Sequence, residues 1–294
     1  MKTSLDCMSC FLRQALDAAR VVSSDHAVQE RIIREVLRWS SEMDLNQPPL
    51  VIGQRLHRRL REITGIEDPY RAAKDRFNQI AMSLLPDLKA LVATAPDPLA
   101  VAARLAIAGN VIDMAVTANV TVQDVRRSIS EALGAPPFPA QNEFRQAVAG
   151  ARSILYLADN AGEIVFDRLL IEQLSPARVT LAVRGRPVIN DATMADARSA
   201  GLHEIVEIVA NGSDAPGTIL EDCSQKFVRR FGAADLILAK GQGNFETLSD
   251  DPRNIFFLFK AKCLVIAAHA GQPVGSYVLA RSPSNRASGL VFGR

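Results

Sequence analysis

The sequence predicts an α/β protein in which a helical N-terminal region precedes a mainly parallel β-sheet. In the first half of the chain, apolar residues recur at spacings of three and four, which is the pattern of amphipathic helices. In the second half, short apolar runs alternate with amphipathic stretches, which is typical of a parallel sheet with helices on both faces. With 294 residues, 48% of them apolar, the chain is long enough for one large domain or two smaller ones.

Six helices are predicted in the N-terminal region, and a proline-rich segment ends it. The predicted helices cover about residues 5–19, 26–43, 50–64, 70–93, 97–116 and 122–134. Thr121 is expected to cap the last of them, since its hydroxyl can accept a hydrogen bond from the first turn. Residues 134–139 contain three prolines and a glycine, which cannot continue a helix. We therefore predict a helical domain over residues 1–138 and an α/β domain over residues 139–294.

Five apolar runs are predicted as strands of the α/β domain. They cover residues 154–158, 178–183, 205–209, 236–239 and 263–268, with helices expected near 162–174, 191–200 and 218–231. In an open parallel sheet, ligands bind in the crevice beyond the carboxyl ends of the strands. The polar residues that follow the strands are therefore the candidates for a functional site.

Small oxygen-bearing side chains, glycines and one lysine follow four of these strands. They are Asp159-Asn160, Asn190-Asp191, Asn211-Gly212-Ser213-Asp214 and Lys240-Gly241-Gln242-Gly243-Asn244. Two carboxylates and an amide oxygen on neighbouring loops suit a hard cation such as Mg²⁺ or Mn²⁺, which in turn can bind phosphate. Lys240, flanked by glycines that expose backbone N–H groups, suits a phosphate as well. Each motif taken alone is more often a turn or a helix cap.

Composition and charge argue against nucleic acid and membranes as partners. The net charge is +2, and the densest basic cluster, residues 58–61, is interpreted as the solvated face of a helix. No window has the ~20 uncharged apolar residues that a membrane helix needs. The N-terminus lacks the features of a signal peptide, so a cytoplasmic location with reduced cysteines is expected.

Taken in this order, the strand-end motifs resemble those of the damage-control phosphatase family, also called domain of unknown function 89. Residues 108–113 and Cys7-Met8-Ser9-Cys10 are similar to its compact prokaryotic branch. The resemblance implies a helical domain packed on a Rossmann-like three-layer α/β/α domain. It also implies a metal-dependent phosphatase that hydrolyses small phosphorylated metabolites, such as sugar phosphates or damaged and overflow metabolites.

The resemblance also implies roles for individual residues. Asp159, Asn160 and Asp191 match the family's metal ligands, and the expected ion is Mn²⁺, Mg²⁺, Co²⁺ or Ni²⁺. Lys240 matches a position that contacts the phosphate. In the catalytic step, a water attacks phosphorus in line, oriented by Asp159 or Glu163, while Lys240 stabilises the added charge.

Eight residues are candidates for substrate binding: Asn110, Asp113, Asn190, Ser213, Lys240, Gly241, Gly243 and Asn244. Asn110 and Asp113 are three apart on a predicted helix and therefore face the same way. They either reach into the crevice to bind substrate, or form a buried polar pair that holds the helical domain onto the sheet.

Two further alternatives remain open from the sequence. Cys7 and Cys10 either bind zinc, which would require Cys223 and Cys263 to meet them in space, or are buried thiols. The rival functions are an S-adenosylmethionine-dependent carboxyl methyltransferase and a non-catalytic nucleotide- or phosphometabolite-binding protein. A glycine-rich methyl-donor loop does not follow the first predicted strand, which favours the phosphatase. The oligomeric state is left open.

Overall fold

The computed structural model describes residues 1–111 and 121–282, and the statements below concern those residues. Their α-helices are α1 Cys7–Val22, α2 His26–Glu42, α3 Leu50–Thr64, α4 Arg71–Ala93, α5 Pro98–Ala108, α6 Val122–Gly134, α7 Gln141–Gly150, α8 Glu163–Gln173, α9 Met194–Ser199, α10 Gln225–Ala233, α11 Gly241–Leu248 and α12 Leu264–Ala270. Five of the first six agree closely with the helices that the apolar periodicity predicts; the fifth was predicted over residues 97–116, but α5 ends at Ala108, and residues 112–116 lie outside the described part of the chain. Thr121 caps α6 as expected, because its hydroxyl accepts from the Asp124 backbone N–H.

The strands form one six-stranded sheet. They are β1 Ile154–Leu157, β2 Val179–Val183, β3 Glu207–Ala210, β4 Leu236–Lys240, β5 Ile255–Lys260 and β6 Tyr277–Arg281. Their order is β3-β2-β1-β4-β5-β6, and only β6 runs antiparallel to its neighbour. The winding reverses between the adjacent strands β1 and β4, so their carboxyl ends flank the crevice in which open sheets of this kind bind ligands. The predicted fold class is confirmed.

The hydrophobic core explains the three-layer arrangement. Alternate strand residues point to opposite faces, so Tyr156 lies in a cluster with α4 to α9, and Leu155 in one with α10 to α12. A third cluster belongs to α1, α2 and α3 and includes Ile32 and Leu56. The domain boundary after residue 138 stays a prediction. None of the described helices is long and apolar enough to cross a membrane.

The strand predicted over residues 263–268 is wrong, and the strands β5 and β6 were missed. Residues 264–270 form α12, in which Leu264 is exposed and only Ile266 and Ala267 are buried. A short apolar run fits a strand or a buried helix turn equally well, and periodicity cannot separate them. The true fifth strand is Ile255–Lys260, whose continuous apolar run is covered on both faces.

Candidate active site

The loops that follow β1 and β2 fold against each other at the carboxyl edge of the sheet. Asn160 and Asp191 form an isolated antiparallel bridge. The Ala161 N–H donates to the Asn190 carbonyl at 2.8 Å, and the Ala192 N–H donates to the Asp159 carbonyl at 2.7 Å. These backbone bonds bring together the three side chains that the sequence proposes as metal ligands.

Two side-chain amides donate hydrogen bonds to the same two carboxylates of this site. Asn160 Nδ2 donates to Asp159 Oδ2 at 2.8 Å and to Glu163 Oε2 at 3.0 Å. Asn110 Nδ2 donates to the same two oxygens, at 3.3 and 2.8 Å respectively. Asn110 therefore reaches these carboxylates from the turn that follows α5, where it is buried, and whether it binds substrate or holds the helices onto the sheet stays a prediction. Asp113, its proposed companion, lies outside the described residues.

Lys240 lies beneath the site rather than at its open side. Its ammonium is fully buried and donates to Glu163 Oε1 at 2.7 Å, to Asp167 Oδ1 at 2.5 Å and to the Ala106 carbonyl at 2.9 Å. A buried ammonium needs such partners because it has lost its hydration. The expectation that Lys240 contacts a phosphate does not agree with this geometry, since its three donors are already engaged.

Arg184 is a functional candidate that the sequence analysis missed. It follows β2, is buried, and its Nε donates to Asp191 Oδ2 at 2.6 Å. Its Nη2 lies 3.7 Å from Asp159 Oδ1 and makes no hydrogen bond with any described residue. A single arginine at a strand end carries no spacing signal, so only the structure reveals that it faces both aspartates.

The buried charges of the site do not balance. Four carboxylates, those of Asp159, Glu163, Asp167 and Asp191, face the two buried cations Lys240 and Arg184. Burial, with Glu163 and Asp191 nearby, raises the pKa of Asp159 well above its ordinary value, although Arg184 and the partly exposed Lys262 act in the opposite direction. Burial also raises the pKa of Asp167 to about 6, against the opposing effect of Lys240. The cluster thus favours additional positive charge.

The donor set fits a hard divalent cation. All its candidate ligand atoms are oxygens, and Asn160 can present Oδ1 instead of Nδ2 by a half-turn of its amide, which the hydrogen-bond network decides. Within residues 1–111 and 121–282, no three His, Cys, Asp or Glu side chains already have the geometry of a metal site. Instead, the Arg184 guanidinium lies against Asp191.

The glycines that were predicted to expose N–H groups to a phosphate pack closely against neighbouring atoms, and their contact with a phosphate stays a prediction. Residues 241–244 are the first turn of α11, and Gly241 has φ +77°. A Cβ on Gly241 would lie 1.8 Å from Asp159 Oδ2, so a glycine is required there for the helix to approach the carboxylate. A Cβ on Gly243 would lie 2.7 Å from the Pro216 carbonyl oxygen. Asn244 holds the turn, because its Nδ2 donates to the Lys240 carbonyl at 2.7 Å.

Two other predicted substrate contacts lie at the edge of this site. Asn190 is buried and contributes its carbonyl to the bridge between the loops. Ser213 donates its hydroxyl to Asp222 at 2.6 Å and belongs to a different network. That network borders a cavity of about 540 Å³, lined by Arg58, Arg61, Glu62, Glu67, Arg186, Gly212, Asp214 and Asp222.

The chain is similar to known proteins over nearly its whole length. Residues 3–278 match the family model described as damage-control phosphatase ARMT1-like domain. A damage-control phosphatase of Archaeoglobus fulgidus is 35% identical over 288 residues, covering 95% of this chain and 98% of its own. One of Pyrococcus horikoshii is 32% identical over 288 residues, covering 96% and 99%. The crystal structure of a Pyrococcus horikoshii protein of the domain-of-unknown-function-89 family superposes with a TM-score of 0.86 at 32% identity, covering 96% of this chain and 99% of that chain.

Proposed function

Because the chain belongs to the damage-control phosphatase family, we propose that it is a metal-dependent phosphatase that hydrolyses small phosphorylated metabolites. One observation carries the proposal beyond the family. Asp159, Asn160 and Asp191 converge at the carboxyl ends of β1 and β2, beside a buried guanidinium N–H that lacks a hydrogen-bond partner among the described residues.

The proposed ligands of the ion are the carboxylates of Asp159 and Asp191 and the amide oxygen of Asn160. A hard cation bound there supplies Lewis-acid polarisation of a phosphoryl group and lowers the pKa of a water. The negative excess of the surrounding carboxylates supports this assignment, because a divalent ion would offset it. The expected ions are Mn²⁺, Mg²⁺, Co²⁺ and Ni²⁺, as for the family.

We assign phosphate binding to Arg184 rather than to Lys240. The Arg184 Nη2 group is buried and has no hydrogen-bond partner among the described residues, which is costly unless an acceptor arrives. A phosphoryl oxygen is such an acceptor, and its charge-assisted bond to a guanidinium is a strong one. Lys240 then acts as a positioning residue, because it holds Glu163 and Asp167 in place.

Glu163 is also assigned a positioning role. Its Oε1 accepts from Lys240, and its Oε2 accepts from the amides of Asn110 and Asn160. Both oxygens are therefore engaged, which favours Asp159 over Glu163 for contact with the attacking water. Glu163 in turn fixes the orientation of Asn160, one of the proposed ligands.

The proposal is tested by phosphate release from p-nitrophenyl phosphate and a panel of phosphometabolites. The protein is stripped with a chelator and assayed with and without Mn²⁺, Mg²⁺, Co²⁺ or Ni²⁺. We expect hydrolysis only with metal, and a fall of about two orders of magnitude or more in Asp191→Asn, since the metal supplies several kcal/mol of transition-state stabilisation. Asp17→Asn, the same change on the exposed face of α1, should leave the rate unchanged.

Two results would contradict the proposal. The first is the absence of metal-stimulated phosphate release across the whole panel. The second is equal activity of Asp191→Asn and the unmodified protein. A rise in melting temperature with S-adenosylmethionine, together with the first result, would favour the methyltransferase instead.

A further inference from the structure

Three of the four cysteines line one cavity on the far side of α11 from Asp159. Cys7 and Cys10 lie in the first turns of α1, and Cys263 directly precedes α12. The cavity has a volume of about 450 Å³ and is also lined by Gln242 and Glu246 of α11. Cys223 does not line it and packs instead against the core between the sheet and α10 to α12. The meeting of all four thiols that a tetrahedral Cys₄ site would need therefore does not occur.

Each of the three sulfurs accepts a hydrogen bond from a nitrogen. Gln14 Nε2 lies 3.5 Å from Cys10 Sγ, and Gln242 Nε2 lies 3.9 Å from Cys263 Sγ. The Ser4 backbone provides the corresponding bond to Cys7. Donors of this kind stabilise sulfur in its thiolate form, and such surrounding hydrogen bonds orient and tune metal ligands.

The three thiols are close enough to influence one another electrostatically. Burial raises the pKa of both Cys7 and Cys10, and the nearby Cys263 and Glu246 raise each pKa further. The Met1 ammonium lines the same cavity and acts on the pKa of Glu246 in the opposite direction, but the thiols still repel one another as thiolates. An ion bound among them would reverse this repulsion, because metal ligands bind in their deprotonated form.

Glu246 lines the same cavity as the three thiols. Its side chain is buried, and burial raises its pKa to about 7. Gln242 Nε2 donates to Glu246 Oε1 at 2.8 Å and thereby connects the carboxylate to Cys263. The proposed phosphatase reaction does not use this buried acid, which lies on the opposite side of α11 from Asn244.

We propose that Cys7, Cys10, Cys263 and Glu246 bind a zinc ion at a site separate from the strand-end site. Three sulfurs and one oxygen form a soft, four-coordinate ligand set suited to Zn²⁺, whereas the strand-end ligands are all oxygens and suit a hard ion. As positioned, the four side chains do not yet have metal-site geometry. Cys10 and Cys263 are exposed, so their side chains are free to rotate about the Cα–Cβ bonds, and the proposed ion requires that rotation.

Such an ion would join α1 and α12 to α11. Glu246 and Gln242 face the cavity, while Gly241 at the start of the same helix contacts Asp159. The ion would therefore hold the N-terminal helices against the element that covers the strand-end site. Its role is structural, because each of its four positions is occupied by a protein ligand.

Cobalt absorption tests the site in the full-length protein. The protein is stripped of metal, kept under a phosphine reductant and titrated with Co²⁺. We expect thiolate-to-cobalt charge-transfer absorption that saturates at a one-to-one ratio. Cys7→Ser and Cys263→Ser should each lose this absorption. Cys223→Ser, the matched change at the remaining cysteine, should retain it.

A second measurement separates this site from the strand-end site. Zn²⁺ alone should raise the melting temperature and release protons in weakly buffered solution. Both effects should persist in Asp191→Asn, which removes only the strand-end ligand, and disappear in the Cys7→Ser, Cys10→Ser double variant. Far-ultraviolet circular dichroism checks that this variant is folded.

The proposal is overturned if charge-transfer absorption is absent, or if it survives in Cys7→Ser and Cys263→Ser. It is also overturned if the only change at the thiols is formation of a disulfide after the reductant is removed. None of these results depends on phosphate release, so they can be distinguished from a failure of the phosphatase assignment.

Discussion

Two buried charged clusters lie side by side in this protein and differ in how their charges are compensated. In the first, Asp196 of α9 accepts from Asn78 at 3.0 Å and from the Thr193 N–H at 2.8 Å, and it pairs with Lys74 at 3.1 Å. Burial would raise the pKa of Asp196, but Lys74 and the bonds from Thr193 hold it below its ordinary value. This cluster is complete, because its carboxylate has the partners that its burial requires.

The strand-end cluster is also built from buried carboxylates, amides and cations, but its Asp159 has a pKa shift of the opposite direction. There the pKa of Asp159 is raised well above its ordinary value, and one N–H of Arg184 has no hydrogen-bond partner among the described residues. Asn78 connects the first cluster to the backbone next to Glu163, because its Oδ1 accepts from the Gly162 N–H at 2.7 Å. Burial of charge therefore does not by itself mark a functional site; the sign of the carboxylate's pKa shift separates a structural cluster from one suited to bind a cation.

The largest effect is expected from removing the lysine of the strand-end cluster. Lys240→Met should lower the free energy of unfolding by about 3–5 kcal/mol, because Glu163 and Asp167 would remain buried without their cation. Urea denaturation measures the change. Lys89→Met, which removes a partly exposed pair with Glu172, should cost about 1 kcal/mol or less. Equal losses in the two variants would mean that the buried charges of this cluster are not coupled.

Changes of aspartate to asparagine should have opposite signs in the two clusters. In the metal-free protein, Asp159→Asn should raise the free energy of unfolding by about 1–2 kcal/mol, since it removes a carboxylate that burial destabilises. Asp196→Asn should lower it by about 2–4 kcal/mol, since Lys74 loses a partner. Thermal and urea unfolding after chelation provide both values. Destabilisation by both changes would show that the strand-end cluster is as complete as its neighbour.

The close approach of α11 to Asp159 can be tested with two glycines of similar backbone conformation. Gly241 has φ +77° and Gly271 has φ +65°, but a Cβ on Gly271 would have no heavy atom within 4 Å. Gly271→Ala should therefore cost about 1 kcal/mol of stability, from backbone strain alone. Gly241→Ala should cost about 1–2 kcal/mol more and reduce kcat, because its methyl group displaces the Asp159 carboxylate. Equal costs, with unchanged kcat, would contradict the contact.

The last prediction concerns a difference in pH dependence. The pKa of Asp167 rises from 3.8 to about 6 on folding, so between these values the folded state binds more protons than the unfolded state. Its contribution to stability is therefore lost as the pH rises from about 4 to about 6. Asp196, with its lowered pKa, contributes stability that is lost as the pH falls below about 4.

Urea unfolding of the chelated protein across this range measures the slope. Asp167→Asn should make the dependence between about pH 4 and 6 shallower. Asn is the matched replacement because it keeps the shape of the carboxylate and removes its titration. An unchanged slope in Asp167→Asn would show that another group is responsible.

The sequence predicted the helical region and the sheet class because those signals are local. A periodicity of three to four residues needs only the residues of one helix, so α1 to α6 were placed to within a few residues apart from the end of the fifth. The error at residues 264–270 has the same origin, since a run of seven residues is too short for its period to be read. The strand Ile255–Lys260 is a continuous apolar run of the same kind as β1 and β4, so its local signal was present in the sequence and was overlooked.

The sequence predicted which loops meet at the candidate site, but not which way their side chains point. Loops at the carboxyl edge of a parallel sheet meet, which is why Asp159, Asn160 and Asp191 could be grouped from sequence. Which way a side chain points depends on tertiary packing, and so Lys240 was assigned to a phosphate although it faces Glu163 and Asp167. Arg184 has no motif of its own, and its place became evident only from its contact with Asp191.

The separate hydrophobic cluster of α1, α2 and α3 has an evolutionary consequence. These helices bury Ile32, Leu56 and their neighbours among themselves, apart from the clusters that support the sheet. Mutations that reshape their outer surfaces should therefore be tolerated without disturbing the strand ends. Since α3 contributes Arg58 and Arg61 to the cavity beside Asp214, this bundle could diversify ligand preference among relatives while the chemistry stays constant.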